Sequence, residues 1–303
     1  MAILYGITAA LLWGTADFLA RFATRRVGVV RSLFYMEAIG VLAFTFWIVP
    51  KKEIPAAISN NPPSIWMWVA ASAIISTVAS LAFYRALEIG VLSVVSPVCS
   101  AYPVLTLALS VFAGEKLKGH QFAGIALAII GVTLASTSFA ALQPSIKIDA
   151  SNPAAIPGAK PPVAHLTRGV GLAIFASAAY GLNFWLIGYH IMPALSGTLS
   201  VWSTRALSVA FLPIICLATK QSLALPRGKV WWMLIAIGLF DTTAYLASNL
   251  GLATGHVSLV TVFGSLFGAV TVFLAWAFLK ERLEKTQWLG IALIFAAIVL
   301  VSV

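Results

Sequence analysis

Ten times along this chain of 303 residues, charge all but disappears for a stretch long enough to cross a bilayer. A spanning helix needs about 20 apolar residues, because lipid offers the backbone no hydrogen-bond partners and a helix satisfies its own. The stretches are residues 2–22, 29–49, 65–89, 91–113, 122–140, 169–191, 197–218, 230–253, 257–279 and 288–303. They are too long for strands and do not alternate polar with apolar, so a barrel reading fails. Only 9% of the residues are charged and 61% are hydrophobic, where a soluble domain carries about 25% charged residues. Too few charges exist to cover a surface facing water. The expected class is an all-α membrane protein with ten transmembrane helices and no room for a soluble domain.

Charge and cysteine exclude other classes. The net charge of +10 sits in short loops between apolar runs, where Lys and Arg meet anionic headgroups. That placement points to membrane lipids and not to nucleic acid. Cys99 and Cys216 both lie inside apolar runs and read as small core residues, not as a metal site or a disulfide. His190 and His256 stand at helix ends, and no His-rich or Cys-rich cluster supplies a nucleophile and base. No enzyme, metal or cofactor is expected. The first run lacks a basic leader and is interrupted by Asp17, so it reads as a retained helix.

The chain repeats itself. Residues 117–127 (LKGHQFAGIAL) reappear as 283–293 (LEKTQWLGIAL), and Glu115 falls on Glu281 at the same offset. Trp13-Gly14 falls on Tyr180-Gly181, Tyr35 on Trp202 and Gly90 on Gly255. Several matches in order require a duplication. The expected organisation is a first repeat at 1–140, a linker rich in Pro, Ala and Ser at 141–167, and a second repeat at 168–303. Each repeat holds five spans, an odd number, so the copies are expected to enter the membrane from opposite sides. Such inverted repeats are the usual frame of an alternating-access transporter.

These residues resemble the EamA-type proteins of the drug/metabolite transporter superfamily. The resemblance rests on the aromatic-Gly pairs Trp13-Gly14 and Tyr180-Gly181, on Tyr84-Arg85-Ala86-Leu87-Glu88, on Ser96-Pro97 to Pro103, and on Gly114-Glu115-Lys116-Leu117. It implies secondary active transport of a small organic metabolite, an amino acid or similar, with proton-coupled export across a cell membrane. Multidrug or organic-cation export and a lipid-linked-substrate flippase share the same fold and remain alternatives. Lys and Arg are richer in the first, fifth, seventh and ninth loops, which places the termini outside. The resemblance implies cytoplasmic termini, and both orientations stay open.

Ionisable groups within a bilayer are costly and mark function. Here they are Asp17, Glu37, Arg205 and Asp241. Asp241 stands near the middle of its span, with Tyr245 and Asn249 at helical spacing from it. It is the first candidate for proton coupling, followed by Glu37 and Asp17. Asp17 has Arg21 at i+4, so a local ion pair is the alternative. Glu37 aligns with Thr204, one residue before Arg205, and in a pseudo-symmetric fold Glu37 and Arg205 are expected to pair. Trp13, Tyr35, Tyr180, Asn183, Trp202, Tyr245 and Asn249 are the expected substrate contacts. Pro97 and Pro103 interrupt the fourth span, and Gly264 and Gly268 the ninth. Interruptions at matching places point to hinges beside a transport site.

Overall fold

The computed structural model describes residues 1–90, 92–136, 169–279 and 285–302. Among these, all regular structure is helical. Helix α1 (Ala2–Val27) runs five residues past its expected end and stops at Gly28, whose φ of 86° only glycine adopts without strain. Helix α2 (Val29–Ile48) starts directly beyond it and ends in a 3₁₀ turn (Val49–Lys51). A short helix, α3 (Glu53–Asn60), follows in what the sequence marked only as a loop. Helix α4 (Pro63–Ile89) opens with Pro63, whose missing N–H costs nothing in a first turn. Helices α5 (Leu92–Ser100), α6 (Pro103–Phe112) and α7 (Gly119–Ser136) complete the first half. The linker at 141–167 and the repeat marker Glu281 lie outside the described residues.

The second half begins with α8 (Val170–Leu186), which widens into a π-turn (Ile187–Ile191) closed by the Met192 amide on the Ile187 carbonyl. Helix α9 (Gly197–Ala218) is capped by Ser196, whose Oγ accepts from the Leu199 amide at 3.2 Å. Helices α10 (Val230–Leu252), α11 (Val257–Gly264), α12 (Phe267–Leu279) and α13 (Lys285–Ser302) follow.

Seven of these segments are long and apolar enough to cross a membrane. They are α1, α2 with its 3₁₀ turn, α4, α8 with its π-turn, α9, α10, and α11 with α12 taken together. Shorter apolar helical stretches cover Val98–Phe112 and Gly119–Gly131. Burial is inverted relative to a soluble domain. Phe112 is 90% exposed and Phe46 82%, while Asn183 is fully buried and Ser72, Ser76, Thr77 and Ser80 are buried with it. Apolar side chains face outward because the surroundings are lipid, and polar ones turn inward to find partners. The chain is an integral, multi-pass membrane protein.

Two spans are broken, and at matching places. The first break, at Ala101–Tyr102, lies just before Pro103, which cannot donate the bond that would continue the helix. The second, at Ser265–Leu266, lies between Gly264 and Gly268. Pro97 lies inside α5 and not at the break, so three of the four expected hinge residues flank the interruptions.

The aromatic-Gly pairs explain how the halves pack. Helix α1 lies along α10 and α12, and α8 lies along α4, α5 and α6. A methyl group added at Gly14 would stand 2.5 Å from Val270 Cβ and 2.9 Å from the Phe267 carbonyl. One added at Gly181 would stand 2.6 Å from the Tyr102 carbonyl and 3.0 Å from Leu105 Cβ. Tyr102 and Leu105 fall on Phe267 and Val270 at one offset, so these are two copies of one contact. Each is bridged by a hydroxyl: Thr106 donates to the Gly181 carbonyl at 2.8 Å, and Thr271 to the Gly14 carbonyl at 3.3 Å. Without a side chain at these glycines the backbones meet closely. The aromatic residue just before each glycine then points into the space between the halves. Helices α7 and α13 pack chiefly on each other, away from this centre.

Candidate transport site

The charged residues converge on one guanidinium. Arg205 of α9 donates through Nη1 to Glu37 Oε2 of α2 at 2.8 Å and through Nη2 to Asp241 Oδ2 of α10. All three side chains are buried. A guanidinium suits this role because its planar fork can serve two carboxylates at once. Its plane also lies over the Tyr245 ring, 5.2 Å from the centroid. The expected Glu37–Arg205 pair is present, and Asp241 joins it. Gly40 lets α2 lie close to α10 beside this cluster: a methyl group there would stand 2.1 Å from Thr242 Oγ1 and 3.2 Å from Arg205 Cδ.

Asp241 faces two ways. Besides meeting Arg205, it lines a cavity between the halves. The walls are mainly aromatic. Trp13 of α1 meets Phe184 and Tyr245 edge to face, with centroids 5.6 and 5.1 Å apart. Tyr102, at the first break, packs on Phe184 at 5.0 Å and stacks on Phe267, at the second break, at 6.4 Å. Phe83 and Tyr180 close the side formed by α4 and α8. The polar groups on the wall are few: Ser80, bonded to the Tyr180 hydroxyl at 2.8 Å, the Tyr84 hydroxyl, and the carboxylates of Asp17 and Asp241. Asp17 is 6% exposed and has neither a hydrogen bond nor an ion pair among the described residues. Among the described residues no ion pair joins Asp17 to Arg21, which has an interaction of its own.

Behind Tyr245 lies a second, smaller chamber. Glu37, Arg205, Thr204 and Asn249 line it, and Arg205 Nε, Thr204 Oγ1 and Asn249 Oδ1 are buried there without partners. Three orphan polar atoms around one small space suit water. The ion pairs therefore stand as a wall between an aromatic chamber and a polar one, and Tyr245 belongs to both.

Of the expected substrate contacts, the structure brings Trp13, Tyr180 and Tyr245 to the aromatic cavity, and Asn249 to the polar chamber. Asn183 is fully buried against Ser72, whose hydroxyl donates to its Oδ1 at 2.7 Å. Tyr35 and Trp202 lie elsewhere. Tyr35 donates to the Leu223 carbonyl at 2.7 Å at one end of the bundle, and Trp202 donates through its indole to Thr45 at 2.9 Å. Both aromatics bind neighbouring helices or loops, and neither lines the cavity.

Sequence reasoning passed over Tyr102, Phe184, Phe267, Met36 and Phe83 on the wall. For Tyr102 a signal existed: it precedes the interrupting Pro103 and falls on Phe267 in the second half. Glu115 was also passed over as a functional group. Its carboxylate accepts from the Ser258 amide at 3.3 Å, the Ser258 hydroxyl at 2.9 Å and the Tyr189 hydroxyl at 3.3 Å, which ties α6 to the start of α11. Among the described residues, no three His, Cys, Asp or Glu side chains are grouped to hold a metal ion.

This arrangement can be compared with known proteins. Residues 1–137 and 167–303 each match the EamA-like transporter family. The chain belongs to the EamA-like transporter family. The family lies within the drug/metabolite transporter superfamily, and its two matched segments take in every charged and aromatic residue of the site. An uncharacterized protein of Methanocaldococcus jannaschii, MJ1333.1, is 30% identical over 138 residues, which are 45% of this chain and 97% of that protein. That relative is therefore about as long as one EamA-like segment. A solved crystal structure of a protein superposes with a TM-score of 0.71 over 99% of this chain and 95% of its own, at 18% identity. That likeness concerns the fold alone.

Proposed function

We propose that this EamA-like protein is a secondary active transporter that moves a small organic metabolite, of about the size of an amino acid, by alternating access coupled to protons. The observation that carries this reading is the position of Asp241. One carboxylate is at once part of the cavity wall and a partner of Arg205. Whatever changes its charge or its neighbour in the cavity also changes the contact that joins α9 to α10.

The cluster holds three acids, Asp17, Glu37 and Asp241, against one base. Full ionisation leaves an excess of negative charge in a dry site, which is costly. One proton more or less decides how Arg205 is shared, so protons and solute act on the same group. Asp241 is the first coupling residue in this reading, with Glu37 holding Arg205 from the other side.

Alternating access is supported by the two broken spans, which meet where Tyr102 of the first donates to the Thr261 carbonyl of the second at 2.9 Å. Breaks beside a central site are where such bundles bend. We read residues 1–140 and 168–303 as two five-span repeats joined by the linker 141–167 and threaded in opposite directions. The duplicated Gly14 and Gly181 contacts and the half-length relative support that reading.

The test is uptake into vesicles containing the purified protein. A pH gradient should drive accumulation of a transported solute, and dissipating the gradient should stop it. Accumulation that ignores the gradient, in the wild type and in Asp241→Asn alike, would remove protons from the mechanism.

A further inference from the structure

We infer that the small chamber behind Tyr245 holds water and carries protons to Glu37 from the membrane face that bears Glu53 and Ser196, so that protons and solute reach Arg205 from opposite sides. This rests on the proton-coupled reading above and adds to it the route and the first acid that the proton meets.

The chamber wall suits water better than an ion. Arg205 Nε has a hydrogen to donate, Asn249 Oδ1 can only accept, and Thr204 Oγ1 can do either. Asn249 is 1% exposed and Arg205 4%, so each unpaired atom carries the cost of a buried polar group. A metal cation would answer the two oxygens and be repelled by the guanidinium. An anion would answer Nε and be repelled by Glu37, which lines the same wall. Water answers both signs at once, and a buried water makes about three hydrogen bonds.

Helix α9 continues the polar wall toward the surface. Ser196, Ser200, Thr204 and Ser208 recur at every fourth residue and so lie on one face. Ser196 is exposed at the helix start, where its hydroxyl donates to Glu53 Oε2 at 3.1 Å. Ser200 is fully buried and accepts from Asn249 Nδ2 at 3.2 Å. Thr204 lines the chamber with Glu37. Ser208 accepts from the Thr77 hydroxyl at 2.8 Å, and the line ends there. Hydrogen bonding between packed helices accounts for Ser208. It does not account for Thr204, whose hydroxyl has no partner among the described residues.

Tyr245 is the partition. Its hydroxyl meets Ser76 at 3.4 Å on the chamber side, while its ring packs on Trp13 and Phe184 on the cavity side. The ionisable groups around Glu37 are Arg205 on α9, Asp241 and Tyr245 on α10, and Tyr84 on α4, whose hydroxyl donates to the neighbouring Met36. On α1, Asp17 lines the aromatic cavity instead, and Lys51 of the 3₁₀ turn lies at the surface with Glu53. A protonated water in the chamber gives its extra proton to Glu37: one O–H bond breaks, the carboxyl O–H forms, and neutral water is left. Arg205 keeps its charge and has Asp241 as its remaining carboxylate partner. A solute that draws Asp241 away needs Arg205 back on Glu37, which returns the proton to water.

Water in the chamber is read by X-ray radiolysis, which makes hydroxyl radicals from water and labels the side chains touching it. Ile187 lines the chamber and is 2% exposed, while Ile237, 1% exposed, is packed in the apolar core. In the purified wild type Ile187 should be labelled severalfold faster than Ile237, and equal rates would overturn the inference. Replacing potassium by sodium should leave thermal stability unchanged, and stabilisation by sodium would give the chamber to a cation. Access to Glu37 is read by infrared spectroscopy. A protonated-carboxyl band that Glu37→Gln lacks should appear as the pH falls. Its shift in heavy water should be severalfold slower in Thr204→Val and Ser200→Ala, and in Ser196→Cys carrying a bulky maleimide. No band belonging to Glu37, or unchanged exchange in the folded variants, would overturn the route. The wild-type labelling and the Glu37 band decide the matter if the variants prove unstable.

Neither measurement needs a solute, so the vesicle test above is scored apart. A wet chamber with a titrating Glu37, beside accumulation that ignores the pH gradient, upholds the route and contradicts the coupled reading. A dry chamber beside gradient-driven accumulation overturns the route and upholds the reading.

Discussion

Glu37 and Arg205 belong to opposite halves of the chain, 168 positions apart, and their side chains meet at 2.8 Å in the buried centre. Asp241 takes the other arm of the same guanidinium. Removing the base would strand two buried carboxylates, and breaking a buried pair from one side costs about 3–5 kcal/mol. Arg205→Met is expected to lower the midpoint of thermal unfolding in detergent far more than Glu37→Gln does. Exchanging the two residues, Glu37→Arg with Arg205→Glu, should recover more transport than either single change. Equal loss in all three would show that the pair does not act as a unit.

Asp241 is expected to matter for coupling more than for folding. Asp241→Asn keeps the shape of the side chain and leaves Arg205 paired with Glu37. The folded protein should survive detergent extraction with a normal elution profile, while proton-driven uptake falls by at least about tenfold, as expected for loss of a group acting in a dry charged site. Uptake at the wild-type level would take Asp241 out of the mechanism.

Gly14 and Gly181 should respond alike because they make the same contact in the two halves. A side chain at either position meets backbone and Cβ atoms at 3.0 Å or less. Gly14→Leu and Gly181→Leu are each expected to destabilise the bundle by about 1–3 kcal/mol or more through overpacking. Gly171, with open space around it, is the control, and Gly171→Leu should change little. Thermal unfolding of the three variants checks the ordering.

Glu115 ties the loop after α6 to the first turn of α11. Glu115→Gln weakens a charged cap and is expected to cost about 1 kcal/mol. Hydrogen exchange of the α11 amides reads the effect locally. Protection should fall at Ser258 and its neighbours and stay unchanged in α13.

What could be read from the sequence follows physical lines. Seven of the ten expected spans were legible because lipid demands long apolar runs, and the breaks at Tyr102 and Leu266 were legible because Pro103, Gly264 and Gly268 disrupt or loosen a helix. The Glu37–Arg205 pair was legible because duplication places both at nearly one position. The third partner, Asp241, was seen as an isolated group. Its distance from Arg205 depends on how α9 and α10 rotate about their axes, which periodicity does not determine when both helices are apolar nearly all round. The same limit accounts for Tyr35 and Trp202. Their depth in a span was visible, but the face they occupy was not, and they reach Leu223 and Thr45 instead of the cavity. Phe184 and Phe267 gave no signal because an aromatic among apolar residues looks like lipid-facing surface. Helix α3 was missed because eight residues with Pro55 and Ser59 resemble a loop.

The central claim is that two copies of one unit, threaded oppositely, enclose the charged centre. The most direct test labels single cysteines placed at the exposed positions Asn60 and Gln221, which follow the second span of each half. The native Cys99 and Cys216 are buried. In sealed vesicles of uniform orientation, a maleimide that cannot cross the membrane should reach one of the two sites from outside and the other only after the vesicles are opened. Both sites reacting from the same side would contradict the account.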